Sequence, residues 1–283
     1  MNSKTSVSQS QKLMVFVLSM SLYGLATLFT ELIPKFQVGI VEFSVEYFLF
    51  IPLTLAMLFQ PMAAALGAAT GEIVFSEIML GQFGGLGELE KFITLVIGIY
   101  IAGRMVKNPL NKKMVAIASI SGVAIQQILG CIVDILKVQF AVEDFEAVAG
   151  LPQSVFITEG FACLNDIVFS GILFCMIPTI FLVPRLYGKI EPLLGAKPRT
   201  EDTILRGEGI LSFKVVALSI LAFLIAISGE FLSEQGISLI EWEAEWAESM
   251  PALIIAMVVA GIIALIIVGM IRNRKSSTVE GWK

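Results

Sequence analysis

Carboxylates and carboxamides inside otherwise apolar stretches are the residues through which this sequence could do chemistry. Glu72 stands in the run from Pro61 to Leu80, among Ala63, Ala64, Ala65, Gly67, Ala68, Ala69 and Gly71. A charge at the centre of a membrane helix costs about 2.5–3.5 kcal/mol on insertion scales, so such a residue is kept for pairing, packing or function. Glu77 follows five residues later, about 140° round an α-helix and too far to share one narrow face. Gln126 and Gln127 interrupt a second apolar stretch, with Asp134 near its end, and Asn165 and Asp166 stand near the start of a third. Singly, each would make interhelical hydrogen bonds; several at one level would hold a polar or cationic molecule.

Bond-breaking chemistry finds little footing. Histidine is absent, which removes the commonest general base and any Ser-His-Asp or Cys-His set. The glycine-rich stretch Gly81–Gly87 lacks the Lys-Ser/Thr ending of a phosphate-binding loop. Cys131, Cys163 and Cys175 have no metal-ligand spacing and read as small membrane-buried residues, without a zinc site or a disulfide framework. No catalytic residue, metal or cofactor is expected, and the chain is not expected to be an enzyme.

The elements that must position these residues are transmembrane helices. Hydrophobic residues make up 57% of the 283 positions and charged residues only 15%, with a mean hydropathy of +0.87. Soluble domains have about 45–50% apolar and 25% charged residues. Eight spans are predicted, at 13–33, 44–59, 61–80, 91–107, 114–136, 161–184, 213–232 and 251–271, each near the roughly 20 residues that cross a bilayer. Gln60-Pro61 makes a tight hairpin, with proline at the first position of the new helix. Ala63, Gly67 and Gly71 are four apart and form a bare stripe where another backbone can approach.

Sixteen of the nineteen lysines and arginines fall on one side of this arrangement. They are Lys4 and Lys12; Arg104, Lys107, Lys112 and Lys113; Arg185, Lys189, Lys197, Arg199, Arg206 and Lys214; and Arg272, Arg274, Lys275 and Lys283. The positive-inside rule makes that side, and both termini, cytoplasmic. The outer loops are acidic, and Trp242 and Trp246, one helical turn apart, read as interfacial anchors. Glu77, Asp134, Asn165 and Asp166 then share the outer half of the membrane. Gln126 and Gln127 lie about 10–12 Å deeper than Asp134, from 1.5 Å of rise per residue. With Gln82 and Glu88 from the outer loop 81–90, these eight residues are the expected substrate pocket, capped by loops 81–90 and 137–160. Ala63, Gly67, Gly71 and Glu72 are assigned to packing or coupling.

Residues 36–130 resemble the substrate-binding S component of energy-coupling factor (ECF) vitamin transporters. The resemblance is carried by the apolar span Phe48 to Ala56, the Pro-led small-residue span Gln60 to Glu72, the glycine-rich outer loop 81–87, and the span ending Gly103-Arg104. It implies an all-α, six-helix S-component-like bundle with cytoplasmic termini, which would occupy residues 1–190. A cytoplasmic linker (191–212) and an additional transmembrane hairpin with its tail (213–283) would follow. It also implies capture of a small vitamin-like molecule from outside, with uptake driven by a transmembrane coupling subunit and separate ATP-binding subunits. The nickel and cobalt members carry an N-terminal metal-binding histidine that has no counterpart here. A multi-pass protein of a prokaryotic-type cell membrane, partnered by lipid and not by nucleic acid, is expected. The alternatives from the residues are an ion-coupled secondary transporter using Glu72, or a membrane scaffold without transport.

Overall fold

The computed structural model describes residues 8–33, 36–45, 47–140, 143–145, 147–148, 150–200, 213–236, 242–243 and 258. The expected last span (251–271), apart from residue 258, the linker beyond residue 200, and Trp246 lie outside these residues. The described chain is mostly helical. Helices α1 (Gln9–Glu31), α5 (Lys112–Gln139), the continuous 32-residue helix Val155–Leu186, and α8 (Phe213–Glu234) are each long and apolar enough to cross a membrane. Within Val155–Leu186, α6 (Val155–Asp166) and α7 (Ile177–Leu186) are joined by π-helical winding over Ile167–Met176.

The shorter elements are α2 (Phe50–Leu58), α3 (Pro61–Glu72) and α4 (Glu88–Met105). Two antiparallel pairs lie in loops: β1 (Phe36–Val38) with β2 (Val41–Phe43), and β3 (Gln82–Phe83) with β4 (Trp242–Glu243). Proline at the first position of α3, with the Gln60 side chain accepting from Ala63 N at 2.6 Å, starts that helix as its sequence predicts.

The sequence places a helix over 44–59, but Ser44, Val45, Tyr47 and Phe48 are non-helical and α2 has only nine residues. Nine residues rise about 14 Å, less than half of a bilayer core. Pro52 accounts for the difference. Its ring excludes the carbonyl four residues back and it has no N–H to donate, so an α-helix continues upstream only with a kink. The non-helical stretch is instead tied to the π-wound turn: Ser170 Oγ donates to Ser44 O at 3.1 Å and Cys175 Sγ to Tyr47 O at 3.8 Å. Irregular backbone at membrane depth is tolerated where protein satisfies it in this way.

Helix α3 is the inner element, with Ala64, Ala65, Ala68 and Ala69 fully buried. Gly67 and Gly71 lie against the α1 backbone so closely that a methyl group on either would run into Phe16 O or Met20 O. Ser19 Oγ of α1 donates to Ala64 O at 2.7 Å in the same seam. Gly98 of α4 and Gly122 of α5 make a second close approach.

Arg199 closes the end of the bundle opposite the 81–90 loop. It is 4% exposed. Nη1 donates to Gly103 O and Val106 O, both at 2.9 Å, at the end of α4; Nη2 donates to Phe59 O at 2.8 Å and Ala56 O at 3.4 Å, at the end of α2. One planar cation thus serves carbonyls that two helix C-termini leave orphaned. Burial, with Arg104 adding to it, pulls its guanidinium down to about 10, which still leaves it charged at neutral pH.

Candidate functional site

The π winding that follows α3 determines where its carboxylates go. Residues 73–78 form i→i+5 bonds, with Met79 N donating to Val74 O. On that wider turn, residues five apart come round toward one side, so the 140° separation expected of an α-helix for Glu72 and Glu77 does not apply. The two carboxylates are within electrostatic range of each other, and Lys91 is within range of Glu72.

Glu72 belongs to a buried polar core. Its Oε2 has no hydrogen-bond partner, and neither has Tyr23 Oη of α1 nor Gln126 Oε1 of α5. Glu72, Cys175 and Tyr47 all lie within electrostatic range of the Tyr23 hydroxyl. Gln127 Nε2 donates to Tyr47 Oη at 2.8 Å, fixing the non-helical stretch against α5, while Gln126 lies on the α4 side, its Cβ against Gly98. Burying a hydroxyl or a carboxyl oxygen without a partner costs about 1–3 kcal/mol per group. Buried oxygens without a hydrogen-bond partner also occur at Thr158 and at both carboxylate oxygens of Glu191, which is fully buried.

Toward the end of the bundle away from Arg199, the carboxylates are paired with lysine. Glu77 and Glu88 are 8% and 6% exposed, and Lys91 Nζ lies 3.2 Å from Glu77 Oε1 and 3.3 Å from Glu88 Oε2. Glu88 Oε1 also accepts from Gly84 N at 3.4 Å, which holds the glycine-rich turn. Lys137 gathers Glu143 at 3.0 Å, and Asp134 and Glu230 at 3.4 Å each. Glu230 comes from α8, and Ser233 Oγ of the same helix donates to Gly84 O at 3.0 Å. The helix α8 is therefore fastened to the start of α4 and the end of α5.

The eight expected pocket residues divide among several places. Glu77 and Glu88 share Lys91, Asp134 belongs to the Lys137 set, Gln127 holds Tyr47, and Gln126 lies against Gly98 of α4. Asn165 Nδ2 donates to Glu42 O of β2 at 2.9 Å, and Asp166 lies beside it within electrostatic range of Cys163. Gln82 pairs with Glu243 in the β3–β4 ladder. Among the described residues no group of three or more Cys, Asp or Glu has the arrangement to hold a metal ion.

Sequence reasoning missed Tyr23, Tyr47 and Arg199. Pro52 was the available sign for Tyr47, because a helix that starts two residues before a proline leaves the preceding stretch free to enter the bundle. Tyr23 had a weaker one, a phenol inside the first apolar span. Arg199 looked like one more cytoplasmic positive charge.

No curated protein and no solved structure matches the chain. A family model described as a family of unknown function, DUF8171, matches residues 14–280, nearly the whole chain, and the protein belongs to that family.

Proposed function

We propose that this protein is the membrane-embedded substrate-binding subunit of an ATP-driven importer of the ECF type, taking a small vitamin-like molecule from outside. The observation that carries the reading is the pair of buried oxygens without hydrogen-bond partners, Tyr23 Oη and Glu72 Oε2, which lie within electrostatic range of each other; Gln126 Oε1 on α5 is likewise unpartnered. A bundle that needed only to be stable would have replaced or paired them; a binding protein leaves them for its ligand. The stretch before α2 adds support, since Glu42 O accepts from Asn165 and Tyr47 meets Gln127. In this reading that stretch, more than loops 81–90 and 137–160, covers the ligand. The outer ion pairs hold the frame, and partner subunits supply ATP hydrolysis, for which this chain has no motif.

Native mass spectrometry of the gently solubilised protein tests the reading. A vitamin-sized adduct, together with copurification of a coupling subunit and ATPases, is the expected result. Uptake that persists when the ATPases are inactive but collapses with the proton gradient would overturn it. That outcome would favour an ion-coupled transporter, a reading to which the unpartnered oxygen of Glu72 lends support.

A further inference from the structure

The end of the bundle closed by Arg199 carries charges that neither the polar core nor the ion pairs use. Tyr187 Oη donates to Arg199 O at 2.5 Å and Arg199 to Val106 O at 2.9 Å, so the end of α7 and the turn before α5 meet there. Lys112 and Lys113 are the first two residues of α5, Arg185 is the last but one of α7, and Lys189 follows in the next turn. All four are exposed, and none of the three lysines has an ion-pair partner among the described residues. From residue 91 to 133 and from 167 to 200 the only carboxylate side chain is that of Glu191, which is fully buried. The surface that these segments present is of one sign.

The faces beneath these cations are apolar. On the helix that ends in α7, Ile177, Phe181 and Arg185 are four apart and share one face, opposite the buried Thr179 and Val183. The Arg185 guanidinium lies over the Phe181 ring, 3.6 Å from its centroid. On α5, Lys113 and Ile117 are four apart in the same way. Ile177, Phe181 and Ile117 are each half or more exposed. α5 packs against α7, and both belong to helices long enough to cross a membrane, with these cations in a terminal turn. Cations so placed stand at the level of lipid headgroups, and the apolar stripes run below them into the acyl region.

We infer that the exposed side of the α5–α7 pair, at this end, binds an anionic phospholipid. Arg185 and Lys113 take its phosphate, and its acyl chains lie along Ile117, Phe181 and Ile177. Stacking on Phe181 fixes the plane of the guanidinium and leaves N–H groups on its edge for phosphate oxygens. Lys112 and Lys189 add attraction without a fixed geometry. An acidic soluble protein would meet the same charges. It could not follow the stripe, because Phe181 and Ile177 lie about 6 and 12 Å deeper than Arg185 along the helix. Such a seat would serve a transporter and a scaffold alike, so it stands apart from the function proposed above.

The test releases the full-length protein into mild detergent from vesicles of equimolar phosphatidylglycerol and phosphatidylcholine, and reads the retained lipid by native mass spectrometry. Phosphatidylglycerol should be retained in preference to phosphatidylcholine. Arg185→Gln and Lys113→Gln should each lower that preference about fivefold, the worth of one cation at an anionic surface, and the double variant about 25-fold. Arg185→Lys, which keeps the charge and loses the stacked plane, should fall between wild type and Arg185→Gln. Thermal midpoints in phosphatidylcholine alone should match wild type, because the substituted side chains are exposed. Equal retention of the two lipids by wild type would leave these charges to an acidic protein partner and overturn the seat. A preference unchanged in the double variant would overturn its location. Displacement of the lipid by free glycerol phosphate would make the ligand a soluble phosphate and overturn the role of the apolar stripes. No transported molecule enters these readouts, so a failed search for a bound vitamin leaves them standing.

Discussion

Arg199 and Lys91 show how differently two buried ends of a helix bundle use a cation. Arg199 donates to four backbone carbonyls and has Arg104 as its charged neighbour, so its stabilising partners are helix ends. Arg199→Ala should lower stability by about 3 kcal/mol, because it removes charge-assisted hydrogen bonds and leaves buried carbonyls bare. Arg199→Lys should recover less than half of that, since an ammonium lacks the planar fork that reaches two helices. Thermal unfolding in detergent measures both, and a wild-type midpoint for the alanine variant would refute the role. Lys91 is half exposed but faces two nearly buried carboxylates. Lys91→Met should cost about 2 kcal/mol, less than a fully buried pair because solvent screens the lysine. The polar core should behave in the opposite way. Tyr23→Phe removes an unpartnered hydroxyl, so the empty protein should be as stable as wild type or slightly more so. In the same variant the adduct seen by native mass spectrometry should be lost or weakened. A large loss of stability with the adduct retained would make Tyr23 structural.

Helix pairs explain which parts of this architecture could be read from the sequence. The stripe Ala63, Gly67, Gly71 was legible because close approach in membranes needs small residues at one-turn spacing, and α1 does lie along it. Gly71→Ala should therefore force α1 from α3 and cost about 1–3 kcal/mol, the range for overpacking. Gly160→Ala is the control, because a methyl group there meets nothing and alanine favours the helix. Equal midpoints for the two variants would contradict the seam. The π-wound segments after Glu72 and Asp166 were not legible, because a hydropathy pattern carries no signature of one extra residue per turn. That is why the angle between Glu72 and Glu77 was misjudged. The second span was misread for a related reason. Phe48, Leu49, Phe50 and Ile51 are apolar in either conformation, and only Pro52 separates the extended part from the helical part. Acidic residues were correctly sensed as clustered toward one end. Their pairing with Lys91 and Lys137 was invisible, because contacts between spans are not encoded in spacing along one of them.

Across the whole molecule, the packing and the charge asymmetry point to the same orientation. Gln11, at the start of α1, donates to Gly195 O at 2.5 Å, and Arg199 binds the ends of α2 and α4. The beginning of α1, the turn between α4 and α5, and the segment after α7 therefore meet at one end of the bundle. These are the segments that hold Lys12, then Arg104 to Lys113, then Arg185 to Arg199. Lys91 and Lys137, two of the three basic residues outside the positive-inside set, are at the other end, each surrounded by carboxylates. α8 reaches that second end too, through Glu230, Ser233 and the edge-to-face contact of Phe231 with Phe140 at 5.8 Å. Single cysteines in a background with Cys131, Cys163 and Cys175 changed to serine test this arrangement directly. Leu110→Cys and Leu193→Cys lie at the basic end and are exposed, so a membrane-impermeant maleimide should label them only after the cells are permeabilised. Gln153→Cys, exposed in the loop before α6, should be labelled in intact cells. Labelling of Leu110→Cys from outside would invert the orientation and place the Tyr47 loop on the cytoplasmic side. An importer whose ligand site lies beneath that loop could not then take its substrate from the exterior, so this one experiment bears on the topology and the proposed function together.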